Sequence, residues 1–163
     1  MIVALDVAYD DPAATARAAA LGFDAWTDAV SAVERVVWVS DVAPYEPGAF
    51  YRRELPCLRA VLAEIDAPIT TLVIDGYVDL GPGRPGLGRH LHEAVGVPVV
   101  GVSKTRFQGA EAIAVRRGES TRPLWVTTAG MAAEAAATQV AAMAGPWRVP
   151  TLLSRVDALS RGR

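Results

Sequence analysis

Cysteine is almost absent from this 163-residue chain, Cys57 being the only one. That excludes an intramolecular disulfide framework and leads us to expect a reduced, cytoplasmic setting. Net basic charge is missing too, the formal value being -2, so nucleic-acid binding here would have to rest on a local patch. Long hydrophobic runs are also lacking. The longest alanine-rich stretch, Ala132 to Ala144, is interrupted by Glu134, Thr138 and Gln139, well short of the roughly 20 apolar residues that span a bilayer. The first residues read as a strand and lack the charged start and cleavage site of a signal peptide. No repeat or linker divides the sequence, and its length suits one globular domain, residues 1–163, with a sizeable core.

What stands out instead is a pair of acids. Asp75 ends the apolar run Thr71-Leu72-Val73-Ile74 and opens a glycine-rich stretch that reaches Gly88. Asp6 repeats the arrangement after Ile2-Val3-Ala4-Leu5. Carboxylates at the ends of buried strands are costly unless they are hydrogen-bonded or bind a hard cation through oxygen, and both readings stay open at this point.

The N-terminal third reads as three strands: Ile2 to Tyr9, a segment within Ala14 to Trp26, and Arg35 to Val42. The alanines of the second would suit a helix, but a strand there completes a simple antiparallel meander. After Pro47-Gly48, Phe50, Leu55, Leu58, Val61, Leu62 and Ile65 form a helical stripe, in which Pro56 predicts a kink or a late start. From Thr70 the order is strand (Thr71 to Asp75), glycine-rich loop, helix (Leu87 to Val95) and strand (Val97 to Val102), a βαβ unit with a parallel pair. Strands over Ala110 to Val115 and Pro123 to Thr127, a helix over Ala132 to Ala144 and a last helix after Pro150 complete the chain. The expected fold is α/β, a ribonuclease H-like mixed sheet of a three-strand meander plus parallel strands with helices on both faces.

Several motifs, in this order, resemble the endonuclease V family of metal-dependent nucleases acting at deaminated purines. They are Ala4-Leu5-Asp6-Val7-Ala8-Tyr9, Pro44-Tyr45-Glu46-Pro47-Gly48, Arg53-Glu54-Leu55-Pro56, Val73-Ile74-Asp75-Gly76 and Gly101-Val102-Ser103-Lys104. Arg122-Pro123-Leu124-Trp125-Val126 and Arg148-Val149-Pro150 continue the likeness, and the latter places Asp157 on the final helix. The resemblance implies that Asp6, Glu54, Asp75 and Asp157 bind Mg²⁺, with Mn²⁺ a possible substitute, and that Lys104 meets the scissile phosphate. It implies that Tyr45, set between Pro44 and Pro47, acts as an aromatic wedge, and that Gly76, Arg84 and Gly86 belong to the nucleic-acid-binding loop. The implied activity is hydrolysis on the 3′ side of inosine or deoxyinosine in DNA or RNA, at the second phosphodiester, leaving a 3′-hydroxyl and a 5′-phosphate. The number of metal ions stays open.

Taken singly, Glu54 and Asp157 would be ordinary solvated helix residues, Lys104 an exposed strand-end lysine, and Tyr45 a cover over the core edge. His90 and His92, two apart on a helix, point to different faces and read as surface residues; Cys57 reads as a small core or boundary residue. Arg52, Arg53, Arg84, Arg89 and Arg106 are candidates for a positive rim. The sequence departs from the family in its loop: Val78 stands where a glycine is usual, Gly81 where a histidine is, and Gly130-Met131 where a glycine-histidine pair is. It also starts directly on the first strand, without the family's helical extension, and is short between Lys104 and Asp157. These departures lead us to expect altered base recognition. They motivate two alternatives, a non-catalytic nucleic-acid-binding homologue and a nuclease of different specificity.

Overall fold

The structure, a computed structural model, describes residues 1–163. Three strands open it, β1 (Ile2–Asp10), β2 (Thr15–Phe23) and β3 (Val33–Val39). Helix α1 (Tyr51–Leu62), β4 (Thr71–Asp75), α2 (Leu87–Val95) and β5 (Val99–Ser103) follow. Then come β6 (Ile113–Val115), β7 (Leu124–Ala129), α3 (Ala133–Ala142) and α4 (Thr151–Ser160). The seven strands form one sheet in the order β3-β2-β1-β4-β5-β7-β6. The meander is antiparallel, β1, β4 and β5 run parallel, and β7 enters antiparallel to both β5 and β6. The mixed sheet is as expected, although the parallel part is confined to its three central strands.

Alternation along the strands builds two cores. On β1, Ile2 and Ala4 face α3 and α4, while Val3 and Leu5 face α1 and α2. Strand β2 settles the alanine question. Ala19 and Leu21 are buried in one layer and Ala16, Ala18 and Ala20 in the other, so small residues let helices approach the sheet from both sides. Tertiary burial overrides their helix propensity.

Other boundaries shift. Strand β3 starts earlier and stops at Val39, and β6 is only three residues long. Helix α1 begins at Tyr51 and continues through Pro56, so its start is not delayed. Proline's missing N–H costs it one bond, and Cys57, Leu58 and Val61 bury the far side of the helix in the core. Register across β1 and β4 pairs Leu5 with Ile74, which brings Asp6 and Asp75, the next residue on each strand, to the same end of the sheet.

Candidate active site

A cleft of about 200 Å³ opens where β1, β4 and β5 end beneath α4. Asp6, Asp75, Lys104 and Asp157 line it, with Leu5, Val73, Val102, Leu124, Val149 and Val156 as apolar walls. Carboxyl ends of parallel strands are where ligands of open α/β sheets collect. Glu54 reaches the same region from α1, and its own charge environment includes Asp6 and Asp75. All five residues singled out for chemistry therefore belong to one neighbourhood.

Each acid has its own donor. Lys104 Nζ lies 2.9 Å from Asp75 Oδ2. Tyr9 donates its hydroxyl to Glu54 Oε2 at 3.3 Å. Ser160 donates to Asp6 Oδ2, with the Asp157 carbonyl a second acceptor at 2.9 Å. Asp157 Oδ1 accepts from Arg161, 3.1 Å away on the next turn of α4. Since the four carboxylates turn to four different donors, no three His, Cys, Asp or Glu side chains converge tightly enough to hold a metal ion.

The electrostatics favour a cation nonetheless. Burial, then the charge of Asp6 and, less strongly, that of Asp75, push the Glu54 carboxyl up to about 8, against the opposing hydrogen bond of Tyr9 and the charge of Arg53. Burial also raises Asp6, the Ser160 bond lowers it, and Asp157 and Asp75 raise it further. Partial burial works against the Lys104 charge, but the hydrogen bond and charge of Asp75, with Asp157 and Asp6 nearby, outweigh it and raise its pKa. Acids that raise one another's pKa become easier to ionise when a divalent cation binds, and four carboxylates supply the oxygen donors that Mg²⁺ prefers. The residues fit the expected ion by chemistry.

Other expectations fare differently. Tyr45 is 61% exposed. It stands on the α1 side of the site through a chain of rings: Tyr45 to Phe50 at 6.3 Å and Phe50 to Tyr9 at 6.3 Å. Pro44 and Pro47 beside it are exposed, as is Arg84, while Gly76 is half-buried and Gly86 is packed under the Tyr77 and Val78 carbonyls. The arginine rim does not form. Arg53 is buried over the Tyr9 ring and bonds Asp11 at 2.7 Å, because burying its stem under α1 requires the head to find local partners. Arg89 is paired with Asp79, Arg52 with Glu46, and Arg106 with the Ala110 carbonyl; only Arg84 of the five has none of these commitments.

The histidines are half-buried rather than solvated: His90 stacks on Tyr51 at 3.6 Å, and His92 Nδ1 lies 2.7 Å from the Val97 carbonyl. Cys57 is core, as expected. Val78 is fully buried in the layer with Ile74, Leu87 and Leu91. Its side chain fills the space over Gly88, where a Cβ would come within 2.7 Å of Val78 Cγ2. The departure at Val78 is therefore absorbed by the core and does not project into the cleft.

Sequence reasoning gave no role to Tyr9, Ser160 or Arg148, whose guanidinium donates to the carbonyl of Lys104. A partial signal existed for Ser160: three residues after Asp157, it shares a helix face with it.

The family model for Endonuclease V matches residues 1–151, ending at the first residue of α4. Among curated proteins, Endonuclease V of Streptomyces coelicolor is 32% identical, over 98% of this chain and 77% of its own length. That of Streptomyces avermitilis is 30% identical, over 98% and 79%. The crystal structure of the S. avermitilis protein superposes with a TM-score of 0.82 at 28% identity, covering 99% of this chain and 79% of that one. Ciona intestinalis Endonuclease V in complex with a 24mer DNA containing an inosine followed by a ribo-adenosine superposes at 0.83 with 16% identity, covering 99% and 84%, a likeness of fold. With its motifs, its sheet and its full-length relatives in agreement, this chain belongs to the endonuclease V family.

Proposed function

We propose that this chain is a Mg²⁺-dependent endonuclease that hydrolyses a phosphodiester 3′ to inosine or deoxyinosine in DNA or RNA, in nucleic-acid repair. The observation that carries the reading is the cluster of charges: a buried Glu54 raised by Asp6 and Asp75, around a cleft whose cation is Lys104. A protein that only bound nucleic acid would gain nothing from acids that repel phosphate. The inosine-containing DNA bound by the Ciona relative supports the choice of substrate.

Asp6, Glu54, Asp75 and Asp157 are the residues we assign to the metal. A divalent cation held there would lower the pKa of water and neutralise charge on the phosphate. Ser160 and Tyr9 orient Asp6 and Glu54 through their hydroxyls. Lys104 stays protonated, and its half-exposed ammonium can exchange Asp75 for a phosphate oxygen, stabilising charge that grows as the leaving oxygen departs. Tyr45, exposed and flanked by prolines, is suited to stack where a base has been turned out. Gly76, Gly86 and Arg84 would contact the strand from the loop.

The buried position of Val78 removes one motive for altered specificity, while the missing imidazoles at Gly81 and Met131 keep another in view. The test is incision of end-labelled single- and double-stranded DNA and RNA, with and without one inosine, in Mg²⁺ or Mn²⁺. Inosine-dependent cleavage that disappears in Asp75→Ala supports the reading. Cleavage indifferent to inosine would assign another nuclease specificity, and tight binding without cleavage would assign the non-catalytic role.

A further inference from the structure

Trp147 is 73% exposed, so its indole contributes little to the core. Its backbone, in contrast, is held from several sides. Arg117 is almost fully buried and has no acidic partner; its guanidinium gathers the carbonyls at the end of α3 and just beyond, donating to Met143, to Gly145 at 3.1 Å and to Trp147 at 2.8 Å. Gly118, at φ +59, lies against the Pro146 carbonyl so closely that no side chain would fit. On the other side, Arg148 bonds the carbonyls of Lys104 and, at 2.8 Å, Pro123. The backbone that carries the indole is thus held in register with that of the residue assigned to the phosphate.

The hollow beside Trp147, about 710 Å³, shares Val149 and Ser154 in its lining with the catalytic cleft, so the two are neighbours. Glu119 is its acid, and its one cation, Arg148, is committed to carbonyls. That charge pattern disfavours a phosphate and leaves a flat, exposed aromatic surface, which suits a base. Tyr45 stands on the α1 side of the acids and Trp147 on the β5 and β7 side.

We infer that Trp147 is a second stacking platform, taking an unpaired nucleobase of the strand that also passes Lys104. This rests on the nuclease reading above. A strand crossing the acids would then meet an aromatic at either end, Tyr45 at one and Trp147 at the other. Arg117 and Arg148 are positioning residues for the platform.

The test uses fluorescence anisotropy of a labelled single-stranded DNA containing one inosine, with the full chain as wild type, Trp147→Ala and Trp147→Phe, alongside incision of the same strand. Losing one base–aromatic stack should weaken binding about 5-fold to 160-fold in the alanine variant. The phenylalanine variant should retain most of the affinity, and kcat should change little. Abasic sites walked along the strand should reveal one position where the abasic site and Trp147→Ala give no further loss together. Wild-type cleavage with unchanged affinity in Trp147→Ala would overturn the platform and leave the nuclease reading standing. Binding weakened by Trp147→Ala without any cleavage would do the reverse. A wild type that neither binds nor cuts would overturn both.

Discussion

Replacing Glu54 by Gln should stabilise the metal-free protein at neutral and alkaline pH while removing its activity. The Glu54 carboxyl, whose ordinary value is 4.5, is pushed up to about 8 by burial and by Asp6 and Asp75. The folded state thus holds a proton that the unfolded chain has already released. Stability from this group is fully present below 4.5 and is lost as pH rises, by about 1.4 kcal/mol per pH unit, until the folded carboxyl ionises near 8. Across the whole window the loss is about 5 kcal/mol, comparable to the entire stability of many domains. Gln cannot ionise, and its carbonyl oxygen can still accept from Tyr9. Its new amide needs a buried partner, which offsets about 1–2 kcal/mol. The expected net gain above pH 8 is about 3–4 kcal/mol; it falls to zero roughly one pH unit above 4.5, and below that the Gln protein is the less stable by about 1–2 kcal/mol. Urea melts of both proteins in EDTA at intervals from pH 4.5 to 9 measure it directly. Equal pH slopes in the two proteins would refute the argument, because the wild-type slope would then arise elsewhere.

Lys104→Ala should lower kcat about 100-fold to 1,000-fold with a smaller effect on binding, as expected when a charge that stabilises the reacting phosphate is lost, and single-turnover incision separates the two. Val78→Gly, which restores the residue usual in the family, should cost about 2–4 kcal/mol through the cavity beside Gly88 and leave any inosine preference unchanged; chemical denaturation and competitive cleavage read these outcomes. Gly88→Ala should destabilise the wild type but less so a Val78→Ala background, since the two side chains would share one space, and a double-mutant cycle in urea measures the coupling. Ser160→Ala removes a donor from the half-buried Asp6 and should cost about 1–3 kcal/mol above the range where Asp6 ionises, an effect that melts in acid would see disappear.

Much of the scaffold was legible because the sheet writes itself into the sequence. Runs such as Leu72-Val73-Ile74 can only be buried on both faces, and an acid following such a run marks a strand end. The alanines of β2 were harder, since composition alone points to a helix, and only packing from both sides explains them. The acids were legible singly; their hydrogen-bond partners were not. Ser160 meets Asp6 across 154 residues and Tyr9 meets Glu54 across 45, separations at which no local pattern survives. The arginine rim failed for a related reason. Sequence gives the charge, but whether a guanidinium is free depends on neighbours such as Asp11 and Asp79 that tertiary structure supplies.

Lys104 is the sole lysine of the chain, and it sits at the mouth of the cleft. The other primary amine, at Met1, is bonded to the Pro68 carbonyl at 3.0 Å. Within this sequence Lys104 is therefore the one side-chain target for amine-directed reagents, and it lies at the candidate cleft. Immobilising it through Lys104 would block the cleft, whereas acylation of Lys104, followed by mass and protected by bound nucleic acid, would report occupancy of the cleft without any engineered label.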